Sequence, residues 1–161
     1  LNRIRELHVE ALNHALRDIP ADQLRMHLCW GNYEGPHHLD TPFDDIIDFA
    51  FRARPDALSF EAANPRHGHE WTLFEKLELP DGKLLIPGVL DSTTNFIEHP
   101  ELVRQRIVRY ARLVGRENVI AGTDCGFAHF ATTEPKVDPT IAWAKLGAMA
   151  EGARLASQEL W

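Results

Sequence analysis

The chain has 161 residues, 44% hydrophobic and 25% charged, the balance of a globular protein with one sizeable core. Its formal net charge of −7 is the wrong sign for a nucleic-acid surface, where clustered Lys and Arg must face phosphates. No run of about 18 apolar residues is present, so no membrane-spanning helix is expected. The opening residues lack a charged-then-apolar leader, and nothing else points to export. Two cysteines in that setting are more often metal ligands or reactive thiols than a disulfide, and a cytoplasmic location is expected.

Residues 2–18 place Ile4, Leu7, His8, Ala11, Leu12, Ala15 and Leu16 near a 3.6-residue period, which predicts a helix ended by Pro20. Residues 24–30 read as a short buried strand, and 31–42 as a loop rich in Gly and Pro. A helix is expected over 43–54, with Asp44 and Asp45 in its first turn. A second strand at 57–61 leads through a loop at 62–69 to a short helix near 70–78. A third strand at 83–90 is followed by a helix over 100–114, which Pro100 opens and Gly115 stops. A fourth strand at 119–123, a long loop at 124–138 and a helix from 139 to about 160 complete the chain.

This alternation predicts an α/β fold with a parallel sheet and helical crossovers, as one domain over 1–161. An open doubly wound sheet and part of a (β/α)8 barrel both satisfy the pattern. No glycine-rich dinucleotide fingerprint follows the first strand, which argues against nucleotide binding. A complete barrel needs roughly 250 residues and eight strands, about twice what is present.

Residues able to do chemistry gather at the C-terminal strand ends, the face where parallel α/β folds act on ligands. The first strand ends His27-Leu28-Cys29, and residues two apart in a strand point to the same side, so the imidazole and thiol are expected to converge. The second ends in Glu61, and the fourth runs into Asp124-Cys125-Gly126. Each residue type alone is more often structural: a lone Cys is usually an inert buried thiol, a lone His a polar surface group. Together, one His, one Glu and two Cys at one end of a sheet make a plausible tetrahedral zinc set.

The stretches MHLCWGNYEGPHHLD, LSFEAANPRHGHEW, LLIPGVLDSTTNFIEHPELV and NVIAGTDCGF resemble the C-terminal half of the cobalamin-independent methionine synthase catalytic barrel. They are nearer to its short single-barrel relatives, which include epoxyalkane:coenzyme M transferase. The resemblance runs essentially the whole chain and implies the C-terminal half of a TIM-like (β/α)8 barrel. It also implies that His27, Cys29, Glu61 and Cys125 ligate zinc, and that the zinc binds the sulfur of a thiol substrate, homocysteine in the synthase. An alkyl donor would be the second small-molecule partner, with neither nucleic acid nor membrane involved. Glu61, the hardest ligand, is expected to move when sulfur enters; Asp91 and Asp124 are the further candidate catalytic residues, Asp124 through hydrogen bonds around the metal.

Two departures from the family pattern stand out. The synthases carry Asp-x-His after the third strand, whereas Asp91-Ser92-Thr93 has no His, which speaks against a folate methyl donor. The upstream half-barrel is not in the sequence, and half a barrel exposes raw strand edges. A fragment of a longer chain is the favoured account, with pairing to the missing half or to a second chain as alternatives. Competing functions are transfer of an epoxide to another thiol, a non-catalytic zinc-binding fragment, and a metal-free barrel enzyme resembling uroporphyrinogen decarboxylase. Among other polar residues, His37, His38, His67 and His69 read as loop residues near the entrance. Arg104, Arg106, Arg109 and Arg112 read as a solvated helix face.

Overall fold

The computed structural model describes residues 2–128 and 134–161; the middle of the loop expected over 124–138 lies outside them. Its four strands are β1 (Arg25–Leu28), β2 (Ala57–Phe60), β3 (Leu84–Leu90) and β4 (Gly122–Thr123), which lie side by side in chain order. All pairings are parallel. The helices are α1 (Asn2–Ala15), α2 (Ile47–Arg52), α3 (Pro100–Val114) and α4 (Pro139–Leu160). This is half of a TIM-like barrel, one of the two architectures that the alternation of elements allows and the one that the resemblance implies.

The pleat sorts the strands into two faces. Leu58, Phe60 and Leu85 point outward into a core with Phe43, Ile47, Phe74 and Tyr110, where Phe43 stacks 4.7 Å from Phe60. His27, Ser59 and Ile86 stand in register on the alternate row. That row faces an opening of about 480 Å³ bordered by Ile120, Leu146 and Met149. A second core joins Val89 and Leu90 of β3 to Val103, Ile107 and Val108 of α3 and to Ala156 of α4. Gly152 makes this seam possible, since an added Cβ would fall 2.5 Å from Val103.

Several expected elements are shortened. The helix expected over 43–54 begins as a 3-10 turn at Phe43–Asp45 and is α-helical only over Ile47–Arg52. The one expected at 70–78 is a 3-10 helix over Glu70–Glu75. The fourth strand shrinks to Gly122–Thr123, with an isolated bridge at Leu85–Val119, because the β3–β4 register shifts between Gly88 and Leu90. Helix ends follow the sequence signals: the His99 imidazole accepts the Glu101 N–H before Pro100, and Gly115 stops α3 at φ 93°. Arg106 corrects the solvated-face reading of its helix. Its guanidinium donates to the Val89 and Ala63 carbonyls, pinning α3 to the ends of β3 and β2.

Candidate metal centre

β1 ends at Leu28, two residues short of the expected strand, so Cys29 does not follow the pleat. The chain instead turns at Gly31 (φ 118°), whose N–H donates to Cys29 Sγ at 3.2 Å. The thiol still converges on the site. Cys125 Sγ is the hub, lying 3.1 Å from Cys29 Sγ, 3.4 Å from His27 Nε2 and 3.5 Å from Glu61 Oε1. The two thiols are free, not a disulfide.

Each donor is held from behind. His27 Nδ1 bonds Ser59 Oγ at 3.0 Å, which leaves Nε2 for the cluster. Ser59 was not among the residues singled out from sequence; its signal is a hydroxyl on an apolar strand, in register with His27. The buried Glu61 carboxylate accepts the Trp30 N–H on Oε1 (3.0 Å) and Asn64 Nδ2 on Oε2 (2.9 Å). Cys125 N–H donates to Ser92 Oγ, and that hydroxyl donates to Asn32 Oδ1.

The charges leave room for a cation. Burial lowers the His27 pKa, against the pull of Glu61, so the imidazole is neutral at pH 7 and able to ligate. Burial raises both thiols; for Cys125, Cys29 and Glu61 raise it further. A tetrahedral zinc with bonds of about 2.0–2.3 Å needs donors roughly 3.3–3.8 Å apart. The His–Cys and Glu–Cys spacings match, and the Cys–Cys spacing is a few tenths of an ångström short. The donor atoms of His27, Cys29 and Cys125 all lie within 4.8 Å of one another and their N, S, S chemistry suits zinc, whereas Glu61 reaches Cys125 but falls outside that group.

The other two expected site residues sit beside the cluster, not in it. Asp124 accepts the N–H groups of Ala62, Ala63 and Asn64, each at 2.8 Å, and so shapes the turn after Glu61. Burial and the nearby Glu61 push its carboxyl up to about 6 despite those donors. Gly88 admits it, because a Cβ there would lie 1.9 Å from Asp124 Oδ1. Asp91 accepts hydrogen bonds from the Thr93 N–H and hydroxyl and from the Thr94 hydroxyl. Burial works to raise its pKa, but these bonds outweigh it and hold the carboxyl low. A cleft of about 280 Å³ is lined by Asn32, Tyr33, Glu61, Arg66, Asp91, Thr93 and Asp124.

Two of the four loop histidines are structural anchors. Asp40 Oδ2 sits 2.6 Å from His37 Nδ1 and 3.1 Å from His67 Nε2, and Glu70 Oε2 lies 2.9 Å from His67 Nδ1. His38 and His69 are exposed, as loop residues should be. Burial works to lower both anchored histidines, but the facing oxygens outweigh it: the Tyr33 carbonyl and Asp40 for His37, Glu70 and Asp40 for His67. Asp40 is lowered, since its histidines outweigh its burial. A raised His stabilises the fold below its unfolded value of 6.5 and loses that contribution as pH climbs through its folded value. A lowered Asp does so above 3.8 and loses it as pH falls. The stability lost in Asp40→Asn should therefore be greatest between those values and shrink at alkaline pH, in urea unfolding followed across pH. A pH-independent loss would show that the ion pairs contribute nothing.

No protein-family model matches the chain. It is 29% identical over 150 residues to the uncharacterized protein YxjG of Bacillus subtilis, covering 90% of this chain and 38% of that protein. It is 26% identical over 177 residues to the 2-hydroxypropyl-CoM lyase of Xanthobacter autotrophicus, covering 94% and 45% respectively. Among solved structures it matches a B12-independent methionine synthase from Shewanella sp. W3-18-1 in complex with selenomethionine. There the TM-score is 0.79 at 20% identity, over 99% of this chain and 45% of that one. The fold is thus that of a methionine synthase barrel, and these relatives match the family that the sequence motifs resemble. The chain spans less than half the length of each of these proteins.

Proposed function

We propose that the chain is the metal-binding half of a zinc-dependent thiol methyl- or alkyltransferase. The observation that carries this reading is the meeting of His27 Nε2, Cys29 Sγ and Glu61 Oε1 around Cys125 Sγ. Those residues would hold one zinc ion, which when bound lowers a coordinated thiol's pKa enough to make it a thiolate at neutral pH. Two thiolates and a carboxylate would keep the centre electron-rich and the substrate sulfur nucleophilic. With zinc bound, Glu61 would be the ligand best suited to give way to a substrate sulfur, because zinc prefers soft donors, and Trp30 N–H and Asn64 Nδ2 hold its carboxylate nearby. Asp91, kept ionised at the cleft wall, suits a polar or cationic group of the substrate better than a proton-transfer role. Asp124 serves the site by fixing the backbone after Glu61.

The thiol is homocysteine or a similar small molecule. One observation favours a donor other than methylfolate: the Thr93 hydroxyl, where the synthases carry His, donates to Asp91 Oδ1 and is no general acid. An epoxide is such a donor, and the 2-hydroxypropyl-CoM lyase relative agrees with that variant. The remaining half of a barrel, or a second chain, would cover the edges of β1 and β4. No helix is long and apolar enough to cross a membrane, among the described residues.

X-ray absorption of the zinc-loaded protein tests the reading. One zinc per chain with two sulfur neighbours is expected, and adding homocysteine or coenzyme M should exchange one oxygen neighbour for a third sulfur. A shell unchanged by either thiol would sink thiol activation.

A further inference from the structure

His67 is 2% exposed, yet both its ring nitrogens meet carboxylate oxygens, Glu70 Oε2 at 2.9 Å and Asp40 Oδ2 at 3.1 Å. Carboxylate oxygens facing both nitrogens favour the doubly protonated ring, the imidazolium, in which each nitrogen donates. Glu70 Oε1 accepts the Phe43 N–H, which ties the loop after β2 to the loop after β1. The Trp30 ring stacks on the imidazolium with centroids 4.1 Å apart, and its Nε1 donates to the Thr41 carbonyl.

One of the two hydrogen bonds that fix Glu61 leads back to the ring of this residue. The Trp30 N–H that donates to Oε1 belongs to the residue whose ring is clamped on His67. Asn64, which donates to Oε2, is held through its Oδ1 by the main-chain N–H groups of Arg66 and His67, both at 3.0 Å, a link that a side-chain change at His67 leaves in place. We propose that His67, gripped between Asp40 and Glu70 beneath Trp30, is a positioning residue that aims the Glu61 carboxylate at Cys125. This rests on reading Glu61 as a metal ligand. The charged groups facing His67 are Asp40, Glu70 and, at longer range, Glu61; His37 shares Asp40.

The test is a double-mutant cycle on zinc affinity, measured by chelator competition with zinc alone as the probe. His67→Gln should weaken zinc about ten-fold in the otherwise unchanged protein, the usual scale for residues that orient a ligand. In a Glu61→Gln background the same change should matter less than two-fold, because its target is gone. Equal losses in both backgrounds would show a merely structural role, and no loss in either would overturn the proposal outright. If the parent protein takes up no zinc, the metal reading fails and this proposal with it; stoichiometric zinc without coupling sinks the proposal alone. Asp40→Asn, which loosens the outer end of the clamp, carries the same cycle if His67→Gln does not fold.

Discussion

Replacing Cys125 with serine is expected to weaken zinc binding about a hundred-fold, the largest functional effect of any single substitution in this chain. Its sulfur is the one atom within 3.5 Å of all three other donors, so no rearrangement of the remaining residues restores a four-ligand shell. Structural zinc sites are worth about 10–16 kcal/mol over four ligands, so losing one thiolate costs roughly 3 kcal/mol, or about a hundred-fold in affinity. Serine is nearly isosteric and the buried site is small, so the fold should survive. Zinc should raise the unfolding midpoint of the parent protein, as binding to the native state alone requires, and raise that of Cys125→Ser clearly less at the same free zinc. Full zinc retention in the variant would remove the cysteines from the ligand set.

The largest stability effect is expected at Lys145. This lysine of α4 has no exposed surface, and its ammonium donates to Glu98 Oε2 at 2.7 Å. The other Glu98 oxygen accepts the Asp91 N–H at 2.8 Å, so the pair also staples the loop that lines the cleft. Lys145→Met strands a buried carboxylate and should cost about 3–5 kcal/mol, read from the urea midpoint. Adding Glu98→Gln removes the stranded charge, keeps an acceptor for Asp91, and should recover most of the loss. A single-variant loss under about 1 kcal/mol would mean that water reaches Glu98 once the lysine is gone.

The alternation of elements and the chemistry at the strand ends were legible because they are local. A parallel strand shows as a short apolar run, and Pro100 and Gly115 mark helix ends through backbone constraints that need no partner. The shortened helices were not legible. The 43–54 segment has helical periodicity, but its first turn is bent to present the Phe43 N–H to Glu70, 27 residues away. Nor was the setting of His67 visible, since Asp40 and the stacked Trp30 indole reach it from the connection after β1, on a different part of the chain.

By itself, the sequence determined the kinds of donor available and the end of the sheet at which they would meet, because strand polarity and residue order set both. The tertiary structure decided how they meet. Cys29 reaches Cys125 through a glycine turn beyond the strand, because β1 stops at Leu28 where its ladder with β2 ends. Glu61 is held by its near neighbour Asn64 and by the Trp30 N–H, 31 residues away, a contact that only the fold brings about. Distances of a few ångströms between residues 96 or 98 positions apart depend on the packing of every element between them. That is why the candidate donors could be named from the sequence and their geometry could not.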